Sequence, residues 1–195
     1  MIPSTLASRL LGYITQQYGK KFLNLEQDID ETKLAELSPQ NGEQASLYIH
    51  IPFCRTLCPY CCFNRYLFRE NIARLYYQDL RKELALYIDR GFRFSTFYFG
   101  GGTPTLLMDE LLEFIALLKK NFDVKQISVE TTPREINKTN IALLQQAGIN
   151  RLSIGIQSFD DKLLKAMGRA WYTGQEIQER ILLAKDKFDT VHIDF

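Results

Sequence analysis

From residue 46 onward the chain alternates two hydrophobic rhythms. Short runs dense in β-branched and aromatic residues lie at 47–53 (LYIHIPF), 94–99, 126–130, 151–156 and 190–195. They predict five strands. Between them, at 71–90, 109–122, 138–147, 160–167 and 174–187, helix-type segments take over. These predict helices, and Gly91 and Gly148 close two of them. Strands alternating with helices specify an α/β fold, a parallel sheet built from crossover units. The last strand has no helix after it, so the expected architecture is a partial parallel (β/α) barrel, apparently truncated after its fifth strand. A complete small doubly wound domain is the alternative. Both put their functional groups at the carboxyl ends of the strands.

The first 45 residues follow a different pattern. Leu6, Leu10, Leu11, Ile14 and Tyr18 recur at helical spacing, and residues 23–45 are polar and acidic with Pro39, Asn41 and Gly42 marking a turn. Residues 1–45 are therefore expected to be an N-terminal helical arm and linker, and residues 46–195 the core domain.

Charge and composition narrow the function classes. With 24 Lys and Arg against 23 Asp and Glu the net charge is +1, which gives no global field for a nucleic acid or an anionic membrane. A hydrophobic content of 46% suits a packed core and argues against disorder. No run approaches the length of a membrane span, and the N-terminus lacks a signal-peptide pattern, so a cytoplasmic protein is expected.

The cysteines carry the chemistry. All four, Cys54, Cys58, Cys61 and Cys62, fall within nine residues directly after the first strand. Bridges within so short a span close tiny loops and stabilise little, which argues against a disulfide framework. A structural zinc site draws on two separated ligand pairs, and this chain offers no second pair, its only histidines being His50 and His192. The spacing Cys-x3-Cys-x2-Cys instead lets one loop wrap three corners of a [4Fe–4S] cube and leave the fourth iron open. Zinc and a group of unused core cysteines remain as the lesser alternatives. His50 is read as a packed strand residue, and Tyr76 and Tyr77 as cover for the sheet.

Other elements lie on the same edge. Gly100-Gly101-Gly102-Thr103-Pro104 follows the second strand, and three glycines let backbone approach a ligand and present N–H groups. Glu130, Gln157 and Asp194 stand at or near the ends of the third, fourth and fifth strands. Arg169 lies in a Met-Gly-Arg run that also reads as a solvated helix end.

The segment IHIPFCRTLCPYCCFN, with Tyr60 just before the third cysteine, resembles the radical SAM superfamily, and more narrowly the family of oxygen-independent coproporphyrinogen III oxidase and the haem chaperone HemW. The resemblance runs from about Tyr48 to Phe195. It implies a [4Fe–4S] cluster on Cys54, Cys58 and Cys61, with S-adenosylmethionine (SAM) bound through its amino and carboxylate groups to the open iron. It further implies SAM contacts from Tyr48, Gly101 and Glu130, the glycine run clasping the methionyl end. Tyr60, Gly102, Thr103, Gln157, Arg169 and Asp194 would line the adjacent pocket, where the oxidase holds a second SAM.

The activity so implied is one-electron cleavage of SAM to methionine and a 5′-deoxyadenosyl radical, in tetrapyrrole or haem metabolism, with an external reductant such as flavodoxin or ferredoxin. The sequence also departs from the oxidase pattern. Phe63 stands where the oxidase carries a fourth cysteine, Cys62 is adjacent to Cys61 instead, and Trp171 replaces a commonly polar residue. The CPYC-x-FN run matches the chaperone-like relatives better. Three readings follow: a radical SAM enzyme, a haem-binding chaperone that retains the cluster, or an inactive fragment.

Overall fold

A computed structural model describes residues 45–195, and the expected helix over residues 4–22 with its linker lies outside them. The first strand, β1 (Ala45–Ile51), leads into a two-residue strand β2 (Phe53–Cys54), the cysteine loop, and a second short strand β3 (Tyr66–Leu67). Helix α1 (Glu70–Asp89) follows, then β4 (Phe94–Gly101), α2 (Met108–Asn121), β5 (Gln126–Thr131), α3 (Lys138–Gln146) and β6 (Arg151–Gly155). Two shorter helices, α4 (Asp161–Ala166) and α5 (Gly174–Ala184), precede the strand β7 (Thr190–Asp194).

The main sheet runs β1-β4-β5-β6-β7, every pair parallel, while β2 and β3 pair separately. This order decides between the two expected architectures. A doubly wound sheet reverses its strand order and so carries helices on both faces. Here each strand is added beside the last without reversal, and right-handed crossovers then put the helices on one face, as in a barrel wall. Among the described residues the sheet does not close, and β1 and β7 are its edges.

Strand alternation sorts the side chains by face. Phe97, Phe99, Ile127, Val129, Leu152 and Ile154 are fully buried against Leu111, Phe114, Ile115 and Leu118 of α2 and the neighbouring helices. The rings of Phe99 and Phe114 meet edge to face, 6.1 Å apart. Tyr77 of α1 is fully buried in this layer. The alternate positions, Tyr98, Glu130, Arg151, Ser153, His192 and Asp194, line a cavity on the opposite face. One face thus holds the fold and the other is polar. No helix among the described residues is long and apolar enough to cross a membrane.

Candidate functional site

The cysteine loop is held over the polar face of the sheet. The Tyr66 amide donates to the Pro52 carbonyl at 2.6 Å and the Phe68 amide to the Cys54 carbonyl at 2.8 Å, which closes the loop at its base. Within it the Cys61 amide donates to the Cys58 carbonyl at 3.2 Å. Arg65 reaches back and donates through Nη2 to the carbonyls of Cys58, at 2.5 Å, and Cys61, at 2.8 Å. At the other side Arg55 donates through Nε to Oε1 of the buried Glu135, 2.8 Å away, tying the loop to the turn after β5.

All four cysteines are free thiols; Cys58 is buried, Cys54 and Cys61 half-buried and Cys62 exposed. Burial pushes the Cys54 thiol up, while hydrogen bonding from Thr103 and the charge of Arg65 pull it back. The Thr103 hydroxyl stands 3.9 Å from Cys54 Sγ. Among the described residues no group of three or more His, Cys, Asp or Glu side chains closes on a single metal ion. A cluster asks for a different arrangement, since each thiolate meets its own iron at a separate corner. Three cysteines of one loop around a shared cavity fit that demand.

The glycine run is shaped by its neighbours. Gly101 has φ +109, and a methyl group there would stand 2.6 Å from the His50 ring. At Gly102 it would stand 2.5 Å from the Phe53 carbonyl oxygen. The N–H groups that the sequence suggests for a ligand already have partners in the protein. Gly101 donates to Glu130 Oε2 at 3.0 Å, Gly102 to the Ile51 carbonyl and Thr103 to the Phe53 carbonyl, both at 2.8 Å. The glycines therefore seat β4 against β1 and the cysteine loop, and the side of the run facing the cavity is not furnished with free amides at these three positions.

Glu130 sits where β4 and β5 meet. Its Oε1 accepts from the Tyr98 hydroxyl at 2.7 Å and its Oε2 from Gly101, which fixes the carboxylate and leaves lone pairs for a further donor. Burial first, then the hydrogen bond to Glu130, pushes the Tyr98 phenol well above its ordinary value, so it stays a donor. Tyr48 does not line the cavity; its ring stacks on Tyr98 with centroids 5.8 Å apart. Its hydroxyl bonds His50 Nδ1 at 3.1 Å, and His50 Nε2 lies 2.9 Å from the Asn64 carbonyl. A carbonyl only accepts, so the Nε2 of His50 carries the proton and Tyr48 donates to Nδ1. His50 is a strand residue linking β1 to the loop.

The far wall comes from β6, β7 and the segment that follows β6. Gln157 adopts φ +70, a left-handed backbone uncommon outside glycine, pinned because the Asp194 carbonyl accepts from both the Ile156 and Gln157 amides at 3.0 Å. Asp194 accepts from the Ser153 hydroxyl at 2.7 Å and pairs with His192 Nε2 at 2.8 Å. Arg169 is buried, which displaces the solvated helix-end reading. It donates to the Tyr60 hydroxyl at 3.0 Å and to the Gly155 carbonyl at 2.6 Å, so it bridges the cysteine loop and the end of β6. Burial raises the Tyr60 phenol and Arg169 opposes that rise. The guanidinium of Arg169 also lies 5.3 Å from the Trp171 ring centroid, with Arg134 at 5.8 Å.

The cavity has a volume of about 560 Å³. Cys54, Cys58, Cys61, Tyr60, Gly101, Gly102, Thr103, Glu130, Gln157, Arg169 and Asp194 all line it, so every site residue singled out from the sequence except Tyr48 converges there. Sequence reasoning missed Arg65, Tyr98 and the Arg55–Glu135 pair. Tyr98 had a signal, being the last polar-face position of β4 before the glycines. The arginines had none, because their partners are carbonyls of the loop and a glutamate 80 positions away.

A family model described as the radical SAM superfamily matches residues 48–194. The chain is 37% identical over 131 residues to the haem chaperone HemW of Bacillus subtilis, covering 64% of this chain and 35% of that protein. It is 38% identical over 136 residues to the oxygen-independent coproporphyrinogen III oxidase of Bradyrhizobium diazoefficiens, covering 66% and 30%. The solved coproporphyrinogen III oxidase HemN of Escherichia coli, described as a radical SAM enzyme, superposes with a TM-score of 0.74 at 29% identity, over 87% of this chain and 42% of that one. Methylornithine synthase PylB, at 16% identity and a TM-score of 0.52, shares the fold. The chain spans about a third of the length of the curated relatives it matches.

Proposed function

Since the chain belongs to the radical SAM superfamily, we propose that Cys54, Cys58 and Cys61 hold a [4Fe–4S] cluster whose open iron takes SAM, in a protein of tetrapyrrole or haem metabolism. The observation that carries the reading is convergence. Three thiols of one loop open onto the same cavity as the fixed carboxylate of Glu130 and the strand-end groups Gln157 and Asp194. When bound, the cluster and SAM supply the one-electron chemistry that generates a 5′-deoxyadenosyl radical, and the protein supplies position and a sheltered pocket.

The residues divide that work. Glu130, held by Tyr98 and Gly101, offers its remaining lone pairs to the SAM ammonium. Thr103 and Arg65 hold the loop and shield its sulfurs. Gln157, Arg169 and Asp194 form the wall for the rest of SAM and for a substrate. The stack of Arg134, Trp171 and Arg169 suits a planar, carboxylate-bearing substrate, because arginine pairs with carboxylates and with ring faces alike. A one-electron donor such as flavodoxin or ferredoxin completes the set.

A second reading, a haem-binding chaperone that keeps the cluster, is favoured by Phe63. It is exposed beside the loop at the position where the oxidase pattern calls for a further cysteine. Stoichiometric haem binding without turnover separates this reading from the first.

The test is electron paramagnetic resonance (EPR) of the anaerobically reconstituted, dithionite-reduced chain with and without SAM. A cluster signal that shifts on adding SAM is expected. Cys58→Ala should abolish iron retention and Cys62→Ala should leave it. Normal iron content in Cys58→Ala, or a signal indifferent to SAM, overturns the reading.

A further inference from the structure

Arg65 is held in place by two of its donors and keeps a third unspent. Its Nη2 is committed to the Cys58 and Cys61 carbonyls. Its Nε is buried and has no hydrogen-bond partner among the described residues. A buried N–H left without an acceptor is costly, about 1–3 kcal/mol, and such groups in folded proteins usually answer to something that binds there. The side chain lines the cavity together with Cys54, Cys58 and Cys61. A guanidinium keeps its charge throughout the physiological range.

We propose that Arg65 is a positioning and tuning residue for the cluster, its Nε–H donating to a sulfur of the cluster or its thiolates and its charge raising the reduction potential. The inference rests on the cluster reading given above. Reduction adds an electron to a centre already made negative by its thiolates. A fixed cation beside it therefore favours the reduced form. Hydrogen bonds to the sulfurs act in the same direction and are among the levers that set such potentials. The geometry couples both effects to the loop itself, because the same guanidinium fixes the backbone of the second and third ligands. Thr103 plays the matching part at the first ligand, with its hydroxyl toward Cys54 Sγ.

Two measurements test this on the reconstituted chain, each after iron has been counted. In the first, arginine is labelled with ¹⁵N and the reduced cluster is studied by pulsed EPR. A resolved ¹⁵N coupling is expected in the wild type and is expected to vanish in Arg65→Lys, which keeps the charge but has no Nε–H. In the second, the midpoint potential is titrated in Arg65→Gln, which removes the charge and whose shorter amide stands near the place of Nε, short of the loop carbonyls. At a fixed poise the ratio of reduced to oxidised cluster should fall about tenfold, equivalent to a shift of about 59 mV. Arg65→Lys should stay nearer the wild type.

A wild type with full iron and no ¹⁵N coupling, a coupling that persists in Arg65→Lys, or an Arg65→Gln variant that titrates like the wild type would each overturn the inference while leaving the cluster reading intact. Should Arg65→Gln lose its iron, the labelled wild type and Arg65→Lys decide alone. A wild type that takes up no iron overturns the cluster reading and this inference with it.

Discussion

At Gly102 the obstacle to a side chain is backbone, not another side chain. A methyl group there would meet the carbonyl oxygen of Phe53 at 2.5 Å and its amide nitrogen at 2.7 Å, and backbone atoms cannot rotate away. Gly91 offers the contrast, since nothing lies within 4 Å of a methyl group there and only its φ of +78 resists substitution. Gly102→Ala is therefore expected to push the base of the cysteine loop off β4, with a cost of about 1–3 kcal/mol from overpacking and a fall in iron retention. Gly91→Ala is expected to cost about 1 kcal/mol from the left-handed backbone and to retain iron as the wild type does. Iron content and thermal midpoints of the two variants, measured side by side, check this. Equal iron in both would mean that the close approach of β4 to the loop does not serve the site. The contrast also shows what a run of three glycines can and cannot tell from sequence. It marks a close approach, but which partner approaches is invisible until the strands are paired, and here the partners are β1 and the loop.

At the scale of elements, the strands and helices were legible because each has a period to betray it. The predicted strand at 126–130 is observed over Gln126–Thr131, and the predicted helix at 138–147 over Lys138–Gln146, with Gly148 at φ +76 just beyond. The β2–β3 pair escaped because two residues define no period. The single-turn helices at Pro104–Leu106 and Pro133–Glu135 escaped for the same reason. Helix α5 shows a different kind of signal, local and chemical. The Thr173 hydroxyl accepts from the Glu176 amide at 3.2 Å, and the Glu176 carboxylate accepts from the Thr173 amide at 2.7 Å, a reciprocal cap. Thr173→Ala should cost about 1 kcal/mol and lower the thermal midpoint by about 2–4 °C for a chain of this size. Glu176 is held below its ordinary value, first by the Thr173 amide. A depressed carboxylate stabilises above its unfolded pKa and loses that contribution as pH falls. The cap's contribution should thus be whole at neutral pH and fade on acidification through the carboxylate range. Thermal midpoints of wild type and Glu176→Gln, which removes the titrating carboxylate, that converge as pH is lowered would bear this out, and a constant gap would contradict it.

Over the whole molecule the ligand loop and the sheet are joined by contacts remote in sequence. Arg55 reaches Glu135 across 80 positions, Arg169 reaches Tyr60 across 109, and Thr103 approaches Cys54 across 49. Each tie runs to a different strand end, so the loop has its native shape only when β4, β5 and β6 are already side by side. Spacing within the loop was legible in the sequence, whereas these ties were not, because nothing in a lone arginine names its partner. The arrangement has a thermodynamic consequence. If the ties hold the ligand set, cluster loss and sheet unfolding are one cooperative event; if the loop is self-sufficient, it can open first. On the reconstituted chain, the visible absorbance of the cluster and the far-ultraviolet circular dichroism of the sheet are expected to fall at the same urea concentration. In the double variant Arg55→Met, Arg169→Met, the absorbance should fall at clearly lower urea than the dichroism, because the loop is released while the helix-facing core of Phe97, Phe99 and Leu111 is untouched. Coincident transitions in the double variant would mean that the two arginines do not secure the loop. Separate transitions in the wild type would mean that the loop carries its own stability. In the first case the β2–β3 pair and Arg65 would have to hold the ligand set by themselves, and the local clamp would outrank the long-range ties.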